Sequence, residues 1–197
     1  KGNTLRIEFK KGYKISYNEL KIKIQSSNIE GVSITGSGDV ELKPGIKTSR
    51  MLLTIAGSGD IDVTDLTATD LEITIAGSGD VEGNLVKCSA LKSSIAGSGD
   101  IDLKNLAAGS VQASIAGSGE MELKGTADTA SYSIAGSGDI KARDMVVKHV
   151  EASTTGSGDI ECHATDYLKI RTTGSGSVGY KGNPTLDVPR KNIYKLD

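Results

Sequence analysis

The tripeptide Gly-Ser-Gly begins at Gly36 and recurs at Gly57, Gly77, Gly97, Gly117, Gly136, Gly156 and Gly174, at spacings of 21, 20, 20, 20, 19, 20 and 18 residues. A unit of about 20 residues cannot enclose a core alone. Self-similarity at this period is the signature of a solenoid, in which each coil buries its apolar face against its neighbours.

The stretch "LEITIAGSGDVEG", residues 71–83, shows how one coil is built. Leu71, Ile73, Ile75 and Val81 share one parity, while Glu72, Thr74, Ala76, Ser78, Asp80 and Glu82 share the other, which is strand periodicity. Gly77 and Gly79 fall on the inward parity and Ser78 on the outward one. Gly57, Gly59, Gly77, Gly79, Gly97, Gly99, Gly117 and Gly119 are therefore expected at a corner, where an inward side chain would collide with the stacked coils. The same register places Val32, Ile34, Val40 and Leu42, then Ile95, Ile101 and Leu103, then Val111, Ile115, Met121 and Leu123 in apolar ladders. Each fully buried aliphatic side chain contributes about 1.5–3 kcal/mol, so several stacked coils are stable where one is not.

Twenty residues per turn leave room for three short strands and three bends, and the chain is expected to be an all-β parallel β-helix. The segment 142–152, "ARDMVVKHVEA", comes nearest to helical periodicity and is expected as a loop plus a strand. One domain over residues 1–197 is anticipated. Residues 1–30 would form a degenerate N-terminal rung or cap, 31–180 the repeats and 181–197 a C-terminal cap. The lysines of "ELKIKIQ" and Pro184 and Pro189 suit the task of protecting open edges.

A net charge of -2, from 23 basic and 25 acidic residues, supplies no basic field to recommend nucleic acid or an anionic membrane as partner. One Phe and no Trp suit thin coils filled with aliphatic side chains. No apolar run approaches the roughly 20 residues of a membrane helix. The chain opens at Lys1 without a targeting segment, which is then either lacking or removed. Cys88 and Cys162 lie three rungs or more apart, too far for a disulfide.

An acidic residue follows almost every Gly-Ser-Gly: Asp39, Asp60, Asp80, Asp100, Glu120, Asp139 and Asp159, with Ser177 in the last copy. Two residues further on comes a second outward column of Glu41, Asp62, Glu82, Asp102, Glu122 and Glu161, interrupted by Lys141. Like charges one rung apart, about 4.8 Å, repel by about 1 kcal/mol in water and about 3–4 kcal/mol at an effective dielectric of 20. Such columns need relief. In a structural reading each Asp accepts hydrogen bonds from the backbone of its own bend. In a functional reading Asp60, Asp80, Asp100, Asp139 and Asp159 form a row of weak Ca²⁺ sites, or the strip docks a basic or polyhydroxy partner.

Other motifs carry less. "GSGDIDV" resumes strand alternation and has no P-loop lysine, which argues against a phosphate cradle. The outward serines, Ser58, Ser78, Ser98 and their equivalents, have no recurring base, so they are expected as structural hydroxyls bonding along the stack rather than nucleophiles. His163 and Cys162 point to opposite sides by parity. Ala56, Ala76, Ala96, Ala116 and Ala135 form an outward column of methyls, read first as small residues tolerated near a tight bend and otherwise as a repetitive contact surface for a polymer, a partner or another copy of the chain.

With its serial "GSGD" repeats and its ending "GSGSVGYKGNP", the chain resembles the head GIN domain of bacterial auto-transporter adhesins over essentially its whole length. The resemblance implies a single-stranded right-handed parallel β-helix in a secreted, periplasmic or cell-surface protein, with adhesion as its role and no catalytic residues. The expected function is a noncatalytic binding or adhesion module without a cofactor, apart from any Ca²⁺, whose partner is a surface protein or carbohydrate. A divergent polysaccharide lyase or hydrolase and a plain structural spacer are the alternatives.

Overall fold

The computed structural model describes residues 3–9, 12, 20–188 and 192–197. Twelve strands are found among them: β1 Gly31–Gly36, β2 Val40–Leu42, β3 Ile46–Gly57, β4 Ile61–Gly77, β5 Val81–Gly97, β6 Asp100–Gly117, β7 Glu120–Gly136, β8 Asp139–Gly156, β9 Ile160–Gly174, β10 Val178–Lys181, β11 Thr185–Asp187 and β12 Ile193–Lys195. All pair in parallel in the order β1-β3-β4-β5-β6-β7-β8-β9-β10-β12, with β2 on β4 and β11 on β9. The architecture is a β-solenoid of about 8 turns with about 20 residues per rung.

Each long strand wraps three sides. Along β4 the inward residues alternate, but the phase slips twice, at Thr64–Asp65 and at Thr69–Asp70, where two consecutive side chains face out. With the Gly-Ser-Gly bend these slips make three corners per coil. The anticipated short strands are thus present, joined by bends that do not interrupt the ladder. The segment 142–152 differs from expectation: it lies wholly within β8, with Met145, Val147 and Val150 buried. Its apparent helical spacing is strand alternation that skips a residue at a corner.

Vertical ladders fill the interior. Ile34, Ile55, Ile75, Ile95, Ile115 and Ile134 stack one above another, and Thr154 continues the column with its hydroxyl donating to the Gly158 carbonyl at 2.9 Å. Size is balanced between neighbouring rungs. Tyr132, 1% exposed, stacks between Ala113 and Ala152, and Leu103 reaches to within 2.4 Å of where a Cβ on Gly83 would stand. Burial pushes the Cys88 thiol up to about 11 and that of Cys162 up to about 12, so both are packing residues rather than nucleophiles.

The two ends differ. At the C-terminal end β12 covers β10 and β11 covers β9, and Asn192 donates its side-chain amide to the Gly174 and Gly176 carbonyls. Residues 3–9, 12 and 20–30, the described part of the anticipated N-terminal cap, form no strand. Residues 1, 2, 10, 11 and 13–19, together with Pro189, lie outside the described residues.

Candidate functional site

The Gly-Ser-Gly corner positions the outward columns. At Gly97, where φ is +144°, an added Cβ would stand 2.2 Å from the Gly77 carbonyl oxygen, and at Gly99 it would stand 2.1 Å from that of Gly79. The same holds along the column, with 2.2 Å at Gly57, Gly59 and Gly117, 2.1 Å at Gly77 and Gly79, and 2.2 Å at Gly119. The missing Cβ aims along the stack at the backbone of the rung before; the second glycine of each of these pairs is buried, and there the Cβ would also crowd a core isoleucine, Ile55 at 3.0 Å from Gly79 and Ile75 at 3.0 Å from Gly99. The approach lets each serine N–H donate to the preceding rung's first glycine carbonyl, as Ser98 does to Gly77 and Ser118 to Gly97, both at 2.9 Å.

The corner serine hydroxyls do not bond along the stack. They face solvent, and that role falls to the neighbouring column, where Ser94 reaches Thr74 at 3.5 Å and Ser153 reaches Ser133 at 3.4 Å.

The aspartates after the corner are also corrected in detail. Each accepts not from its own bend but from the equivalent backbone N–H of the next rung: Asp60 N–H to Asp39 Oδ1 at 3.1 Å, Asp80 to Asp60 and Asp100 to Asp80 at 2.9 Å, and Glu120 to Asp100 at 2.8 Å. Asp159 N–H donates to Asp139 at 2.9 Å, and Ser177 N–H to Asp159 at 2.7 Å. Relief of the repulsion therefore comes from oriented backbone dipoles one rung on. Glu120 breaks the chain: Asp139 N–H turns to the Gly119 carbonyl at 3.1 Å, and the Glu120 carboxylate takes Lys141 at 2.6 Å. One extra methylene carries the carboxylate past the amide.

The second acidic column stacks as expected, Glu41 on Asp62, then Glu82, Asp102, Glu122, Lys141 and Glu161. It is not bare. Two residues beyond Glu41, Asp102, Glu122 and Lys141, on the same face, lie Lys43, Lys104, Lys124 and Arg143, while Thr64, Asn84 and His163 take the equivalent places after Asp62, Glu82 and Glu161. Lys43 pairs with Glu41, Lys104 with Asp102 at 2.6 Å, Lys124 with Glu122 at 2.6 Å, and Arg143 with Glu161 at 3.7 Å. The Lys43 ammonium holds the Glu41 carboxyl below its usual range, and the partner carboxylates raise Lys104 and Lys124. Exposed pairs of this kind contribute little to stability, but they make the face an alternation of both signs. The signal was present in "ELK" at 41–43 and 122–124 and "DLK" at 102–104.

Among the described residues no three His, Cys, Asp or Glu side chains converge in a manner that could hold a metal ion. Asp60, Asp80, Asp100, Asp139 and Asp159 sit in one row, each with Oδ1 engaged by backbone. Cys162 is buried and His163 faces out, with burial and then Lys181 lowering the imidazole pKa.

A feature missed from sequence runs along a different corner. Leu71, Leu91 and Val111 floor an open groove of about 540 Å³ spanning four rungs, rimmed by Arg50, Asp70, Glu72, Lys92, Ser110 and Gln112. Glu72 is bracketed by Arg50 at 3.3 Å and Lys92 at 3.4 Å. These rim residues recur by register rather than by identity, so the repeat pattern hides them.

The shape of this solenoid is shared by solved structures. One, titled a putative lipid binding protein from Parabacteroides distasonis, is 26% identical, with a TM-score of 0.76 over 88% of this chain and 95% of that one. Another, titled a putative adhesin from the same organism, is 19% identical, with a TM-score of 0.72 over 88% of this chain and 94% of that one. No curated protein matches the sequence. The family model described as "Putative auto-transporter adhesin, head GIN domain" matches residues 1–84 and 84–184, so the repeat carrying the corner and its columns spans both matches, and the chain belongs to that family.

Proposed function

We propose that the protein is a noncatalytic, extracytoplasmic binding module of the adhesive kind, which engages a surface protein or carbohydrate through its repeated outward columns. The observation that carries this reading is the in-register column of carboxylates beside the corner, with outward hydroxyls at each rung and ammonium groups paired to it at several. A flat, polar, repetitive strip suits a repetitive or extended ligand, for which many weak contacts add through multivalency. The family supports an adhesive role and an extracellular or surface location.

The groove at Arg50–Gln112 gives the same reading a second contact, since its carboxylates, cations, hydroxyl and amide match sugar hydroxyls. A lipid-binding role, the subject of one neighbour's title, finds less support. The interior is filled by side chains that are nearly all fully buried, and the groove is open and polar-rimmed.

The test is binding of the intact chain to arrayed surface glycans and matrix proteins, with and without Ca²⁺. Glu82→Gln, Asp102→Asn and Glu122→Gln combined are expected to weaken any captured ligand at least tenfold with the melting point little changed. Retention of full affinity moves the site off this face, and release of reducing ends from a polysaccharide would replace the reading with an enzyme. Calorimetric Ca²⁺ titration belongs beside it. Saturable heat lost in Asp80→Asn/Asp100→Asn would make the strip cation-dependent, while no heat leaves direct recognition by the side chains.

A further inference from the structure

The N-terminal end of the stack is an open strand edge. Among the described residues β1 is bonded only to β3 and β2 only to β4, whereas the opposite end is covered by β11 and β12. Val40 N–H donates to the Asp60 carbonyl at 2.8 Å, so by strand alternation the Glu41 peptide faces away from β4. Such an edge accepts another strand.

A segment with strand alternation lies just upstream. Leu20, Ile22 and Ile24 alternate with Lys21 and Lys23, and the three apolar side chains are 53%, 50% and 60% exposed. The spacing fits a coil. Gly31 follows Ile22 by nine residues, as Glu72 follows Val63 and Lys92 follows Gly83 at equivalent positions of complete rungs. Charge selects the same register. A 20-residue offset sets Lys21 against Glu41, while an offset of 22 would set Glu19 against Glu41 and Lys21 against Lys43. Lys21 already lies close enough to add to the effect of Lys43 in lowering the Glu41 pKa.

We propose that residues 20–23 close this end as a parallel strand on β2, with Leu20 on Val40, Lys21 on Glu41 and Ile22 on Leu42, so that residues 20–36 complete a further coil. The occupant is this chain's own segment because a connection of only seven residues to β1 holds it at high effective concentration beside the edge. The strap hides the side chains of Leu20 and Ile22 and denies the edge to a second copy.

The test uses the full chain with Lys21→Cys/Glu41→Cys at micromolar concentration under mild oxidation; Cys88 and Cys162 are buried and do not compete. A disulfide within one chain, in a monomer by light scattering, is expected. Absence of a cross-link, or a disulfide-linked dimer showing a second copy on the edge, overturns the proposal. A second measurement leaves the cysteines out. Hydrogen exchange at the Glu41 amide is expected to be at least tenfold slower in the unaltered chain than in Ile22→Asp, and equal rates overturn the proposal. Neither readout depends on a ligand, so this result stands apart from the binding test.

Discussion

Two corners of the same coil follow different rules. The Gly-Ser-Gly corner repeats without insertion, and its backbones approach so closely that a Cβ at Gly97 or Gly99 would overlap a carbonyl oxygen. The next corner holds Gly45, Asp65, Leu85 and Asn105, all at positive φ yet with different side chains; Gly125, one position on in the register of Leu106, is the one place there closed to a side chain, an added Cβ standing 1.9 Å from the Leu106 carbonyl oxygen. Departures from the 20-residue period collect at this second corner. The register shifts between Leu42 and Ile46, between Leu103 and Leu106, between Glu122 and Gly125, and between Ala142 and Val146. A further slip lies between Val147 and His149. A corner made by backbone stacked on backbone accepts neither a side chain nor a change of length, whereas one held by local conformation accepts both.

The sharpest way to break this contrast is Gly97→Ala or Gly99→Ala. Each should cost more than about 3 kcal/mol, since both overlap an immovable carbonyl and Gly97 adds the strain of its positive φ, and denaturant unfolding measures it. Gly38→Ala, at the first corner with nothing within 4 Å of an added Cβ, should change stability by no more than about 0.5 kcal/mol. Equal losses at Gly38 and Gly99 would remove stacking as the cause.

Insertion tests the second half of the contrast. One glycine placed between Lys104 and Asn105 should leave a folded protein that is about 1–2 kcal/mol weaker, because loop length is thermodynamically cheap. The same insertion between Ser98 and Gly99 should abolish cooperative unfolding by circular dichroism. A smaller effect is expected at the carboxylate ladder. Asp80→Ala, which strips the acceptor from Asp100 N–H, should lose about 1 kcal/mol more than Asp80→Asn, which keeps an oxygen there. The smallest effect has the opposite sign. Leu85 is 46% exposed at φ 56°, where Asp65 and Asn105 occupy the neighbouring rungs, so Leu85→Asn should raise stability by about 0.5–1 kcal/mol. A lower melting point would mean that Leu85 makes a contact worth more than its strain.

Much of this was legible in the chain itself. The inward ladders and the outward Ser, Asp and Glu columns follow from period-two alternation passing through Gly77-Ser78-Gly79 without a slip. The lysines beside the acidic column were equally accessible, two residues on from Glu41, Asp102 and Glu122. What alternation cannot supply is direction along the stack. It says that Asp80 faces out, but not that its oxygen meets Asp100 N–H rather than its own bend. It marks Gly97 as inward, although the absent Cβ would strike Gly77. The Arg50–Gln112 groove depends on four rungs meeting at a corner whose rim residues share no identity, so no repeat announces it.

The sequence by itself therefore determined the number of coils, the face each side chain takes and the corner where length stays constant, because these depend on local parity and on glycine. Only the tertiary structure decided which atom the corner aspartates and glycines meet, since Asp80 and Asp100, or Gly77 and Gly97, lie one coil apart and meet through the axial rise between stacked backbones.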